Sequence, residues 1–362
     1  MIQHPVKHSS QQATVYPVGG IEVSSFPFTG ALALVRLAMA RFLFLALITF
    51  APVLQVLADG VEIRQRYKDG FRYKQQVTIA QESSVSTGLT NTTTKSDTTF
   101  DLESTATMTQ KGNENFISVE VRYTKIVMSV DRDGKLFRFD SEKPSEQSMA
   151  GPLQTLAGLP GRGFNLIIDE QGAVESVGAS NVTVSTMASG NRVIATSFRE
   201  MFEPESIKRI VAQTMIRTPK GMIPKINDSW PLSQELTLPG IGKLIVAGNY
   251  TLAGMAEFEG IQCAKIVVDG TYSQEPTVNK LDLTDNDRFD TLSRQLNLKL
   301  DGSTLKGTIL FDPAISFPRE LNVTQTIDIT AKIPDGTANV IKMPIKQTIS
   351  VKLVGMSEVH PK

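Results

Sequence analysis

Two runs near the end of the sequence restrict the fold more than any other feature. In the first, Leu321, Val323, Gln325, Ile327, Ile329, Ala331 and Ile333 alternate with Asn322, Thr324, Thr326, Asp328, Thr330 and Lys332. After Pro334-Asp335-Gly336, Ile341, Met343, Ile345, Gln347, Ile349, Val351 and Leu353 alternate with Lys342, Lys346, Thr348 and Lys352. A period of two sends the two sets to opposite faces of a strand, so both runs predict half-buried antiparallel strands. About 13 residues at ~3.3 Å each give strands of roughly 43 Å, about twice the ordinary length. Amphipathic strands of that length favour a strongly curved antiparallel sheet or a partly open barrel.

The punctuation agrees with this reading. Asp69-Gly70, Asp133-Gly134, Asp269-Gly270, Asp301-Gly302 and Asp335-Gly336 supply the positive φ angles of tight turns, and they predict hairpins between apolar-alternating runs. Further strands are predicted over 71–79, 116–130, 135–140, 164–168, 242–258 and 261–268. The apolar phase shifts between Tyr123 and Ile126, which predicts a bulge. The Ser/Thr-rich stretch from Ser83 to Thr109 reads as solvated strand and loop. Phe164 to Asp169 before Gly172 echoes Thr308 to Asp312 before Phe317, as two apolar runs ending in aspartate.

One stretch, Asn191 to Trp230, breaks into helical spacing. Glu203-Pro204-Glu205 has the form of a helix start, with Pro204 at the first helical position and acidic residues at the positive end of the dipole. Ile207, Ile210, Val211, Thr214 and Met215 follow on one face, and Thr218-Pro219-Lys220-Gly221 ends the helix. The predicted fold is therefore mainly β with a few helices (α+β): a curved antiparallel sheet or partly open barrel with a central helical plug.

The first 58 residues read as a leader. Met39-Ala40-Arg41, the apolar run Phe42 to Phe50 and Val56-Leu57-Ala58 make a positive region, a hydrophobic region and a cleavage site. A secretory signal peptide over 39–58 follows, with 1–38 as an upstream extension. The run is too short, and interrupted by Pro52, for a spanning helix of ~20 residues. The remainder, 59–362, is expected to be a single β-rich domain: an N-terminal β half (59–190), the central helical segment (191–230) and a C-terminal β half (231–362). Such a protein is exported, to the periplasm or the extracellular space, with no stable membrane span after cleavage.

Composition narrows the chemistry. A formal net charge of +0 gives no basic field for nucleic acid. The chain has 3 histidines, all near its termini (His4, His8 and His360), and 1 cysteine, Cys263. A histidine-based triad and an ordinary zinc site both lack their parts. Cys263 lies in the apolar run 261–268 and reads as a small buried hydrophobe. Paired carboxylates (Glu257 with Glu259, or Asp282, Asp285, Asp287 and Asp290) are candidates for acid–base work, but they occur without the aromatic surroundings that sugar sites favour. Asp285-Asn286-Asp287 lacks the glycine and the twelfth-position glutamate of a calcium loop. No cofactor, no metal and no catalytic residue is expected.

The central stretch resembles an uncharacterised family of secreted bacterial β-rich proteins, in which a proline-started helix leads to a Val-Gly-Asp-Ser-Trp segment. The residues that carry the resemblance are Glu203 to Arg209, Pro219, Pro224 and Ile226-Asn227-Asp228-Ser229-Trp230, with Ile226-Asn227 in place of Val-Gly. More remotely the layout resembles periplasmic lipoprotein carriers, in which short helices close a curved sheet over an apolar cavity. A helix from Pro204 to about Ile216, roughly 20 Å long, cannot cover apolar strand faces about twice that length, so a non-catalytic binding protein is expected, with a lipid or lipoprotein as partner. Phe198, Met201, Phe202, Ile207, Ile210, Val211, Met215 and Trp230 would line the lid, or else simply fill a core. A structural or interaction protein of the cell envelope with a filled core is the alternative.

Overall fold

In the computed structural model the described residues are 56–57, 60–86, 90–143, 158–169, 172–178, 208, 216, 218–238, 242–274, 297–332 and 340–359. A two-stranded ribbon pairs β1 (Val56–Leu57) with β2 (Gly60–Val61). Thirteen further strands form one antiparallel sheet. They are β3 (Phe71–Ser86), β4 (Asn91–Lys111), β5 (Glu114–Arg132), β6 (Lys135–Asp140), β7 (Gly163–Asp169), β8 (Val174–Val177) and β9 (Ser229–Leu238). After them come β10 (Gly242–Phe258), β11 (Ile261–Gln274), β12 (Asn297–Leu300), β13 (Thr304–Asp312), β14 (Phe317–Lys332) and β15 (Val340–Glu358).

The spatial order is β8-β7-β5-β4-β3-β15-β14-β13-β11-β10-β9, with β6 also on β5 and β12 also on β14. Neighbours along the chain are mostly neighbours in the sheet, as short hairpin connections require. The exception is the centre, where β3 pairs with β15 from Phe71↔Glu358 to Ser86↔Lys342. Two strand positions are shared. β7 covers 116–122 of β5 and β6 covers 127–132. Likewise β13 covers 317–326 of β14 and β12 covers 329–332.

Alternation carries through most of this sheet. In β3, Tyr73, Val77, Ile79 and Val85 are buried on one face, while Lys74, Gln76 and Glu82 are exposed on the other. β15 repeats this with Ile341, Met343, Ile345, Ile349, Val351 and Leu353 inward. The inner faces of all the long strands join in one hydrophobic cluster. The expected bulge is present: between Tyr123 and Lys125 the register of β5 on β4 shifts, which returns Ile126 to the inner face.

The turns divide. Asp133 and Gly134, with φ of 51° and 81°, join β5 to β6 as the sequence predicts. Gly302 turns between β12 and β13. Asp269-Gly270 does not turn; it lies inside β11, opposite Asn249 and Gly248. A Cβ on Gly248 would sit 2.1 Å from the Asp269 carbonyl oxygen, so the glycine serves close backbone approach there. The turn between β10 and β11 is made instead by Glu259 and Gly260, at φ of 51° and 80°. Asp335-Gly336 lies outside the described residues.

The α+β expectation is overturned. The described structure is all β, and no helix is one of its elements; Lys208 alone among the described residues is helical. Nor do the described strands close into a barrel, because β8 and β9 end the ladder without meeting. The described end of the predicted plug is extended, and its hydrogen bonds show why. The Ile216 N–H goes to Gln65 Oε1 at 2.9 Å and the Thr218 N–H to the Ile63 carbonyl at 3.0 Å, while the Val61 N–H reaches the Pro224 carbonyl at 2.9 Å. These groups bond across to another segment, where a helix would bond within its own turns. Val61, Ile63 and Gln65 thus bond to Pro224, Thr218 and Ile216 near the end where β3 begins, while Asn227 and Asp228 bond to Leu252 of β10.

Candidate functional site

The inner face of the sheet is where the buried aromatic and polar side chains of the described residues gather. At the end crossed by 60–70, three rings pack together. Tyr73 stacks on Phe317 with centroids 4.5 Å apart and planes 10° from parallel, and Tyr67 meets both edge-on at 5.3 and 6.1 Å. The Lys68 N–H donates to the Tyr73 hydroxyl at 2.8 Å.

Across the middle of the face runs a row of polar side chains that are nevertheless buried. Register places Gln81 of β3 opposite Gln347 of β15, and Gln347 opposite Gln325 of β14. Their exposures are 5%, 1% and 4%. The Tyr272 hydroxyl of β11 donates to Gln325 Oε1, Gln325 Nε2 donates to Gln347 Oε1, and Gln347 Nε2 donates to Gln81 Oε1 at 3.2 Å. Gln81 Nε2 ends the relay, buried and with no partner. Each bond in such a row contributes about 1 kcal/mol net, whereas a buried donor left unmade costs about 1–3 kcal/mol. Ile79, Ile349 and Val323 border it below and Ser83, Ile345 and Ile327 above, and Ser96 of β4 stands opposite Gln81.

Among the described residues, the buried polar side chains are glutamines, serines and one threonine, with one exception. That exception is Asp312, 1% exposed. It holds Arg319 through Nε at 2.8 Å and Nη2 at 2.6 Å, and it accepts the Ala314 N–H at 2.9 Å. Cys263 lies nearby and is fully buried, as the sequence reading expects. Burial, and secondarily the Asp312 carboxylate, push its thiol up to about 11 from 9.0 against the opposing pull of Arg319.

Burial likewise pushes the Tyr73 and Tyr250 phenols up to about 12, raises those of Tyr123 and Tyr272 further, and holds that of Tyr67 well above its ordinary value. The folded chain therefore keeps protons that the unfolded chain releases. This contribution to stability is full below pH about 9 and is lost as pH climbs through about 9–11 for the thiol and 10–12 for Tyr73 and Tyr250. The urea midpoint is expected to be flat from pH 7 to 8.5 and to fall steadily above pH 9. A flat profile to pH 11 would contradict it.

Of the lid residues named from sequence, only Trp230 is described; Phe198, Met201, Phe202, Ile207, Ile210, Val211 and Met215 lie outside the described residues. Trp230 is 1% exposed on β9 and stacks on Tyr250 at 5.7 Å, and its indole N–H has no hydrogen-bond partner. The turn before it keeps Asn227 at φ 73°, a left-handed conformation that asparagine tolerates better than most non-glycine residues. Glu257 is exposed, and Glu259 sits in the β10–β11 turn bound to Lys352 at 2.8 Å, so this carboxylate pair is a solvated one. The aspartates at 282–290 lie outside the described residues. Among the described residues no three His, Cys, Asp or Glu side chains converge as metal ligands would. No helix among them is long and apolar enough to cross a membrane.

These features define an all-β protein built on one open antiparallel sheet with a largely apolar, uncharged inner face. The chain belongs to a family of unknown function (DUF6263), whose profile matches residues 114–318. No curated protein matches its sequence. Among solved structures it is similar to lipovitellin, from a study of lipid–protein interactions, at a TM-score of 0.42 and 10% identity, over 82% of this chain and 26% of that one. It thus spans about a quarter of the lipovitellin chain. Weaker likenesses are to DynF of the dynemicin biosynthesis pathway of Micromonospora chersina (TM-score 0.18, 8% identity, 84% and 93% covered) and to a DUF1329 family protein from Desulfovibrio piger (0.14, 10%, 91% and 94%). Scores of this size do not carry a ligand or an activity from one protein to another.

Proposed function

We propose that this chain is an exported, non-catalytic binding protein that holds an apolar ligand, a lipid or the acyl chain of an acylated protein, against the inner face of its sheet. One observation supports this above the others: a single buried face extends across the long strands, apolar except for neutral side chains and the Asp312 carboxylate held by Arg319, and polar atoms on it are left without partners. An apolar ligand held against such a face would remove its own surface from water, worth roughly 25 cal/mol per Å². Buried, unpaired polar atoms at intervals are what a ligand with a few polar groups would satisfy.

The test uses the full chain expressed with its leader and purified without detergent from outside the cytoplasm. The expected product begins at Asp59 by intact mass, releases lipid into an organic extract, and changes its Trp230 emission when the delipidated form is titrated with methyl palmitate. An uncleaved, cell-retained product would remove the export half of the proposal. Repeated absence of extractable lipid, with unchanged emission, would leave the filled-core envelope protein as the better reading.

A further inference from the structure

We infer that the glutamine row is a polar subsite for an uncharged, carbonyl-bearing lipid, with Gln81 Nε2 donating to the carbonyl oxygen of an acyl ester. This rests on the apolar-ligand reading above and adds to it the chemistry of the ligand's polar group.

The sense of the row carries the argument. As arranged, the Tyr272 hydroxyl gives its proton to Gln325, and each amide then accepts on one side and donates on the other. One group is left over, Gln81 Nε2. In this arrangement all three amide oxygens accept, three hydrogen bonds are made, and the one atom of the row without a partner is a nitrogen. The row therefore ends in a donor, and what it seeks is an acceptor.

Charge selects the kind of acceptor. The groups in the row are amides and a phenol, and beside it lie isoleucine, valine and the neutral hydroxyls of Ser83 and Ser96. Among the described residues the one buried carboxylate, Asp312, already has Arg319. A carboxylate or phosphate brought to Gln81 would be desolvated with no cation to meet it, a cost of several kcal/mol that one amide donor does not offset. An ester carbonyl accepts the same bond without that penalty. Its acyl chain would lie along the isoleucine and valine side chains beside the row.

The experiment compares three probes of matched chain length, hexadecane, methyl palmitate and palmitate at pH 8, on delipidated wild-type protein and on Gln81→Leu. Methyl palmitate affinity is expected to fall about fivefold in the variant, the effect of one net hydrogen bond, while hexadecane affinity stays within about twofold. Palmitate is expected to bind wild type more weakly than its ester. Retained hexadecane binding reports that the variant is folded; where it is lost, Gln81→Met, closer in shape, is read in its place. An ester affinity unmoved by the substitution, or palmitate binding tighter than the ester, would overturn the subsite and leave the apolar-ligand reading standing. If no probe binds wild-type protein, the apolar-ligand reading itself falls and takes the subsite with it.

Discussion

Replacing Phe317 by alanine is expected to lower the stability of the fold by about 4 kcal/mol, the cost of deleting a buried aromatic ring from a site that collapses poorly. The ring is fully buried, stacked on Tyr73 and abutted by Tyr67, so its loss leaves a space bounded by other rigid rings. It also stands at the start of β14, at Asp312↔Phe317, the first pair of the β13–β14 ladder. Urea unfolding should show a lower midpoint at an unchanged slope, and Phe317→Leu should recover much of the difference. A loss below about 1 kcal/mol would mean that the three-ring cluster is not a packing centre.

Asp312→Ala should cost about 3 kcal/mol by a different route. The carboxylate is almost wholly buried and its partner Arg319 is about one-fifth exposed, with a side-chain value of 22%. Deleting the acid leaves a partly desolvated guanidinium unpaired and also strips an acceptor from the Ala314 N–H. The double variant Asp312→Ala/Arg319→Leu should regain a large part of the loss, since no uncompensated charge remains. If the double variant is as unstable as the sum of the singles, the pair is not coupled and the argument from burial fails.

The long strands were legible from sequence because their two faces meet different surroundings. Leu321 to Lys332 and Ile341 to Leu353 alternate without interruption, and so they lie in the sheet. The same pattern already held the key to the polar row. Gln325 and Gln347 occupy apolar-phase positions, a signal that two amides face inward. Gln81 and Tyr272 could not be joined to them from sequence, because that requires knowing that β3 lies beside β15 and β11 near β14. The Ser83–Thr109 stretch misled by its polarity: Ser83, Ser96, Thr98 and Ser104 are buried on the inner face, small enough to pack there. Asp269-Gly270 misled because a glycine needed for close strand approach carries the same letter as one needed for a turn. The helical reading of 191–230 failed at its described end, where Ile216 and Thr218 bond to the segment around Ile63 and Gln65, a long-range choice with no local signature.

The seam at the middle of the sheet has a kinetic meaning. On either side of it most strands join by short turns and can assemble soon after they are made. The join itself brings together residues such as Gln81 and Gln347, 266 positions apart. Closing so long a loop is slow, and until it closes each half shows a bare strand edge and an uncovered apolar face. The sheet is thus two locally formed wings zipped along β3 and β15. During that interval the wings are the species most exposed to aggregation, and most in need of a holding partner.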